Sequence, residues 1–327
     1  MTRSRALALA LVLSLAAAHA HAAAKKATPS QPPAAAAPQQ TPPADPGDVA
    51  YAQFQRGYYL SALAEAQKRV DANGDPKAMT LIGVLYGSGL GVPQDDAKAV
   101  EWYAKAAERG DREAMFSLAM MRLAGRGGAQ DRNAAATLFA SAAKLGQPAA
   151  AYNLGLLYLE GMQFPRDFAR AAELFRQAAQ AGNREAQYAL ATMHKEGRGV
   201  PKDDKEATRL LALAALADHL DAQVEYAIAL HNGTGIAKDE AAAAQLLRKA
   251  ARRGAPIAQN RLARIYATGR GLPENPKEAV KWHIISKAAG ASDPFLDEYM
   301  AKQTEEVRAA ARKEADPWLF IIANSRT

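Results

Sequence analysis

Apolar and small residues return along this chain with two nested periods. Inside each unit they recur at helical spacing, and the whole unit returns every 36 residues from residue 74 to residue 290. Units are numbered here from residues 74, 110, 146, 182, 218 and 254, each taken as position zero. Position 4 is always alanine, from Ala78 to Ala258, and position 8 is Ile82, Leu118, Leu154, Leu190, Tyr226 or Leu262. Position 12 includes Tyr86, Tyr158 and Tyr266. This i, i+4 stripe predicts one face of a first helix. Position 9 is always small, from Gly83 to Ala263, which lets a neighbouring helix approach closely. Position 15 is always glycine, from Gly89 to Gly269, and glycine takes the left-handed conformation that ends a helix. A short loop follows, as in Gly197 to Pro201. Position 21 is Asp95, Asp131, Asp167, Asp203, Asp239 or Asn275, the side-chain acceptors that start a second helix. Glu206 and Glu278 stand three residues later, as in a capping box. Position 25 is always alanine, position 28 is Trp102, Leu138, Leu174, Leu210, Leu246 or Trp282, and positions 32 and 33 are mostly alanine. The anchor itself is glycine at residues 74, 110, 146, 182, 254 and 290, with Asp218 the single departure.

One such hairpin cannot bury its own apolar face, so the units must stack. The pattern predicts an all-α chain, a right-handed α-solenoid of stacked antiparallel helical hairpins, with six repeats over residues 74–290. Residues 48–73 read as a shortened leading hairpin and residues 291–327 as C-terminal capping helices. Asp293 before Pro294 is a helix start. The charges at Glu305, Glu306, Arg308, Arg312 and Lys313 suit a terminal cap, and Trp318, Leu319 and Phe320 are expected to fold back on the last repeat.

The N-terminus breaks the pattern. Arg3 and Arg5 precede a 13-residue apolar run, Ala6 to Ala18, and then a small-residue stretch with several A-x-A options. Residues 1–24 therefore read as a secretory signal peptide, cleaved near residues 20–24. As a membrane anchor the run is too short: 13 residues of helix reach ~20 Å against a hydrocarbon core of ~30 Å. Residues 25–47, rich in Pro, Ala and Gln, read as a disordered linker. The expectation is an exported, periplasmic protein with no stable membrane insertion after cleavage.

Composition narrows the chemistry. There is no cysteine, which excludes disulfides, thiolate metal sites, a cysteine nucleophile and a lipid anchor on an N-terminal cysteine. The net charge is +7, or +5 without Arg3 and Arg5, and both signs are interleaved, so a solvated surface fits better than a nucleic-acid stripe.

Residues 81–110, LIGVLYGSGLGVPQDDAKAVEWYAKAAERG, carry the pattern A-x-x-x-L-G-x-x-Y-x-x-G-x-G-V-x-x-D-x-x-x-A-x-x-W-x-x-x-A-A-x-x-G from position 8 onward. In this the chain resembles the Sel1-like repeats, relatives of the tetratricopeptide repeats with a longer inner loop. Repeat two departs with Arg122 in place of Tyr, and repeat four ends on Asp218. The resemblance implies adaptor or regulatory roles through protein binding, including control of envelope signalling receptors and assembly of envelope or exopolysaccharide machinery.

Candidate chemistry is thin. Trp102 and Trp282 share position 28 with leucines and read as core. The Gly-x-Gly turns lack the following Lys-Ser/Thr and the preceding strand of a phosphate loop. His194, His219, His231 and His283 show no metal-ligand spacing and read as surface histidines. No catalytic residue, cofactor or metal is expected, and the chain is read as a non-enzyme. What remains is the variable face of the first helices, usually the concave lining of a solenoid. There stand Phe116, Tyr152, Asn153, Leu156, Tyr188, Glu225, Arg261 and Arg264, aromatic and polar as a protein-binding groove requires. The Arg pair would favour an acidic partner. Two readings fit the aromatics: groove lining, or packing between adjacent hairpins. The leading expectation is a scaffold for another protein, of unknown identity. The alternatives are a cell-wall or β-lactam-acting enzyme, for which the SxxK motif and the disulfide cysteines of some relatives are missing, and a carbohydrate-binding protein.

Overall fold

The computed structural model describes residues 48–324; the signal-peptide and linker expectations lie outside the described residues. The chain forms two compact units, up to Leu174 and from Phe175. The first holds α1 (Val49–Gln55), α2 (Tyr59–Asn73), α3 (Pro76–Ser88), α4 (Asp96–Glu108), α5 (Arg112–Ala124), α6 (Arg132–Lys144) and α7 (Pro148–Glu160). The boundary falls within α8 (Phe168–Gln180). The second unit continues with α9 (Arg184–Glu196), α10 (Asp204–Leu216), α11 (Leu220–Asn232), α12 (Glu240–Arg252), α13 (Pro256–Thr268) and α14 (Pro276–Ala288). It closes with α15 (Pro294–Ala301) and α16 (Glu305–Asn324). No strand occurs among the described residues: the fold is all-helical, built of stacked hairpins.

Both helices of every repeat have 13 residues, and capping explains the uniformity. At position 21, Asp95, Asp131, Asp167, Asp203, Asp239 and Asn275 each accept a backbone N–H from the first turn of the second helix. Position 1 does the same for the first helix, through Asp75, Asp111, Gln147, Asn183 and His219. This second row of caps escaped the sequence reading because its residue type changes from unit to unit. At the other end, the position-15 glycines adopt φ of 67–74° and terminate the first helices.

The hairpin core takes in position 28, where Leu174, Leu210 and Trp282 are buried and Trp102 is partly buried, and also position 29, which is buried throughout as Tyr103, Phe139, Phe175, Leu211, Leu247 and His283. Tyr103 shows the depth of this layer: burial pushes its phenol up to about 12. Position 5 of the second unit carries glutamines, Gln187, Gln223 and Gln259, all buried. Each donates its side-chain amide to a carbonyl of the preceding helix end, Ala179, Ala215 or Ala251, at 3.1–3.2 Å. Each of these carbonyls also accepts the backbone N–H of the anchor residue, Gly182, Asp218 or Gly254, so the glutamine amide is a second donor to the helix end.

Two expectations are corrected. His283 is not a surface histidine: it sits at core position 29, 1% exposed, with Nε2 2.9 Å from Asp297 of α15. The C-terminal aromatics do not all fold back. Trp318 meets Trp282 edge-on at 5.6 Å, but α16 runs on through Pro317 and leaves Phe320 70% exposed.

Candidate interaction surface

In the first unit, Phe116 is half-buried and packs its ring 5.9 Å from the buried ring of Phe139, across its own hairpin. Asn153 turns its amide back to the Ala149 carbonyl, 2.8 Å away. Tyr152 and Leu156 are half-buried on the same helix, α7. These four candidate side chains are neutral and partly covered.

The second unit is charged at the corresponding positions. Tyr188 donates its hydroxyl to Glu225 at 2.8 Å, and Lys195 pairs with the other oxygen of the same carboxylate. Burial and the Glu225 charge push the Tyr188 phenol well above its ordinary range. The Tyr188 ring also stacks 4.5 Å from His219, the cap of the next first helix. His219 Nδ1 accepts the Ala222 N–H at 3.2 Å, so its ring proton belongs on Nε2, 2.9 Å from Glu185. His219 is therefore a structural cap, half-buried, rather than a surface histidine.

The Tyr188 arrangement repeats in outline. Position 6 reaches the cap of the next unit at three places: Thr80 to Asp111 (2.9 Å), Tyr188 to His219, and Asn260 to Asp293 (2.9 Å). Tyr188 thus packs between hairpins while remaining half-buried. A spoke joining units 31 to 33 residues apart was invisible in a pattern read one unit at a time.

Arg264 is likewise committed. Its Nε and Nη2 grip both oxygens of Asp293 at 2.6 and 2.7 Å, and its guanidinium lies 5.0 Å from the Phe295 ring centre. Asp293, 4% exposed, also caps α15, and the Arg264 hydrogen bonds hold its carboxyl down at about 2. Arg261, by contrast, is exposed and forms no ion pair among the described residues. Arg261 and Arg264 both line a cavity of about 330 Å³ with His231, Arg270, Ile228 and Phe295. A second cavity of about 370 Å³ lies over Trp282 and Trp318, rimmed by Arg248 and Arg252. Among the described residues there is no cluster of three metal-capable side chains and no helix long and apolar enough to cross a membrane.

Stacked two-helix units whose recurrent residues are caps, turns and core define a helical-repeat protein. The chain belongs to the Sel1 repeat family, whose repeats match at residues 76–111, 112–147, 148–183, 184–219, 220–254 and 256–290. Two solved structures share the fold. One is c5321, a protective antigen present in uropathogenic Escherichia coli strains, with 27% identity and a TM-score of 0.68. That alignment covers 84% of this chain but only 61% of c5321. The other is a Sel1 repeat protein from Oxalobacter formigenes, with 28% identity and a TM-score of 0.62 over 75% of this chain and 97% of that one. No curated protein matches the sequence.

Proposed function

We propose that this chain is an exported, periplasmic interaction scaffold that holds a protein partner on the variable face of its first helices, and that it performs no catalysis itself. The observation that carries this reading is the division of labour within the repeat. Recurrent positions are occupied in building the hairpins, while the variable ones leave an exposed arginine beside an open cavity in the second unit. The leader-like N-terminus supports export. Repeat scaffolds of this type present such faces to other proteins.

The test is photo-crosslinking in intact cells. A photoreactive residue at Arg261 is compared with one at Arg209, an exposed site on a second helix. The expected result is a discrete protein adduct from position 261 alone, formed by a chain whose N-terminus has been trimmed near residues 20–24. Equal labelling from both sites, or an untrimmed chain retained in the cytoplasm, contradicts the proposal.

A further inference from the structure

The cavity between α11, α12, α13 and α15 has a chemistry that specifies more than protein binding in general. Its polar side is cationic. Arg261 enters it unpaired. Arg264 and Arg270 line it with one edge already fixed: Arg264 on Asp293, and Arg270 through Nε and Nη2 on Glu240 at 3.2 and 2.7 Å. Each of these guanidinium groups thereby keeps Nη1 without a hydrogen bond among the described residues, in an orientation set by its partner. Glu240 is shared with Lys238 at 2.8 Å. Four cations, Lys238, Arg261, Arg264 and Arg270, thus meet two carboxylates, Glu240 and Asp293, leaving an excess of positive charge. The field is felt by His231 in the wall: burial first, then Arg270, hold its imidazole below the ordinary histidine range.

Apolar side chains share the lining with the arginines: Ile228, and Phe295, which is 41% exposed and lies against the Arg264 guanidinium. A cavity of about 330 Å³ is at the small end of ligand sites, with room for one or two side chains. An inorganic anion would use the arginines and leave the apolar wall wet.

Resting on the scaffold reading, we infer that this cavity receives a short acidic peptide segment of the partner, with a carboxylate on Arg261 and the free edges of Arg264 and Arg270, and a neighbouring apolar side chain against Ile228 and Phe295. Carboxylate on guanidinium supplies direction and charge-assisted hydrogen bonds. Desolvating the apolar side chain supplies the rest.

The test uses the full chain and a fluorescein-labelled hexapeptide of alternating Glu and Leu, with a Gln-and-Leu peptide as control, followed by fluorescence anisotropy. The Glu peptide binds and the Gln peptide binds about tenfold or more weakly, as loss of charge complementarity requires. Arg261→Glu, at an exposed and unpaired site, lowers affinity for the Glu peptide by a similar factor with an unchanged circular dichroism spectrum, and Arg261→Lys recovers part of it. In NMR titrations the His231 ring takes up its proton at higher pH once the Glu peptide is bound. Equal binding of both peptides, indifference to Arg261→Glu, or saturation of the cavity by inorganic phosphate alone overturns the assignment. Loss of this assignment with a protein still captured in cells leaves the scaffold reading standing. Arg261-dependent peptide binding with no partner captured in cells does the reverse.

Discussion

Two rows of glycine run through the second unit, and they are kept for different reasons. The anchors Gly182, Gly254 and Gly290 have φ of 84–98°, yet a Cβ added at any of them meets nothing within 4 Å. The inner-turn glycines, Gly235 and Gly271, also have positive φ, but an added Cβ falls well inside contact with the carbonyl oxygen of Asp204 or Glu240 in the preceding repeat. The anchor demands only a backbone conformation, so another residue tolerant of the left-handed region can stand there. Asp218 does so, with φ of 65°, the one positive φ outside glycine among the described residues. Its carboxylate accepts from Gln223 at 3.0 Å and Arg253 at 2.9 Å, and these bonds hold it below the usual carboxylate range. The inner turn demands conformation and emptiness together, because there two repeats touch backbone to backbone. The break in the 36-residue ruler at Asp218 is thus accommodated by the anchor's backbone conformation.

This contrast can be broken by mutation. Gly235→Ala should be the most damaging change, costing ~3 kcal/mol or more from overpacking added to backbone strain, read as a large fall in the urea midpoint. Asp293→Ala should come next, at ~2 kcal/mol, because a helix cap and a paired carboxylate go together. Asp293→Asn separates the two effects: it keeps the cap and loses the ion pair, and should cost less. The same pair has a pH signature. The folded carboxyl sits at about 2, below its unfolded value, so its contribution is complete above the unfolded pKa of ~4 and is lost as pH falls towards 2. The wild type should lose stability across that window more steeply than Asp293→Asn, as measured by melting temperature against pH. Gly254→Ala, with free space but a positive φ, should cost only ~1 kcal/mol. Asp218→Gly should be the mildest, within ~0.5 kcal/mol of zero, since relief of left-handed strain offsets the lost hydrogen bonds. If Gly254→Ala proves as harmful as Gly235→Ala, the distinction between the rows fails.

The hairpins were visible in the sequence because each is a local matter of spacing, caps and turns. Position 4 alanines, position 15 glycines and position 21 caps all act within a few residues of themselves. What the sequence concealed depends on the angle at which neighbouring units meet. The sequence alone does not show that Tyr188 stacks on His219, in the next unit. His283 reads as a surface residue until Asp297 of α15, outside the ruler, is found as its partner. Arg264 and Glu225 are variable polar positions whose charges are answered by Asp293 and Lys195. Of the candidate groove residues in the second unit, only Arg261 has a charge left for a partner, and Arg270 and Phe295, which join it at the cavity, stand outside the variable face of the first helices.

Fold and function in this account reside in different residues, and one experiment separates them. Arg261→Glu is introduced into the full chain in cells, with the photoreactive group placed at Lys195, and partner capture is scored beside the melting curve of the purified protein. An unchanged melting temperature with capture lost is the predicted result. Capture that persists undiminished, or that falls only in step with stability, contradicts it.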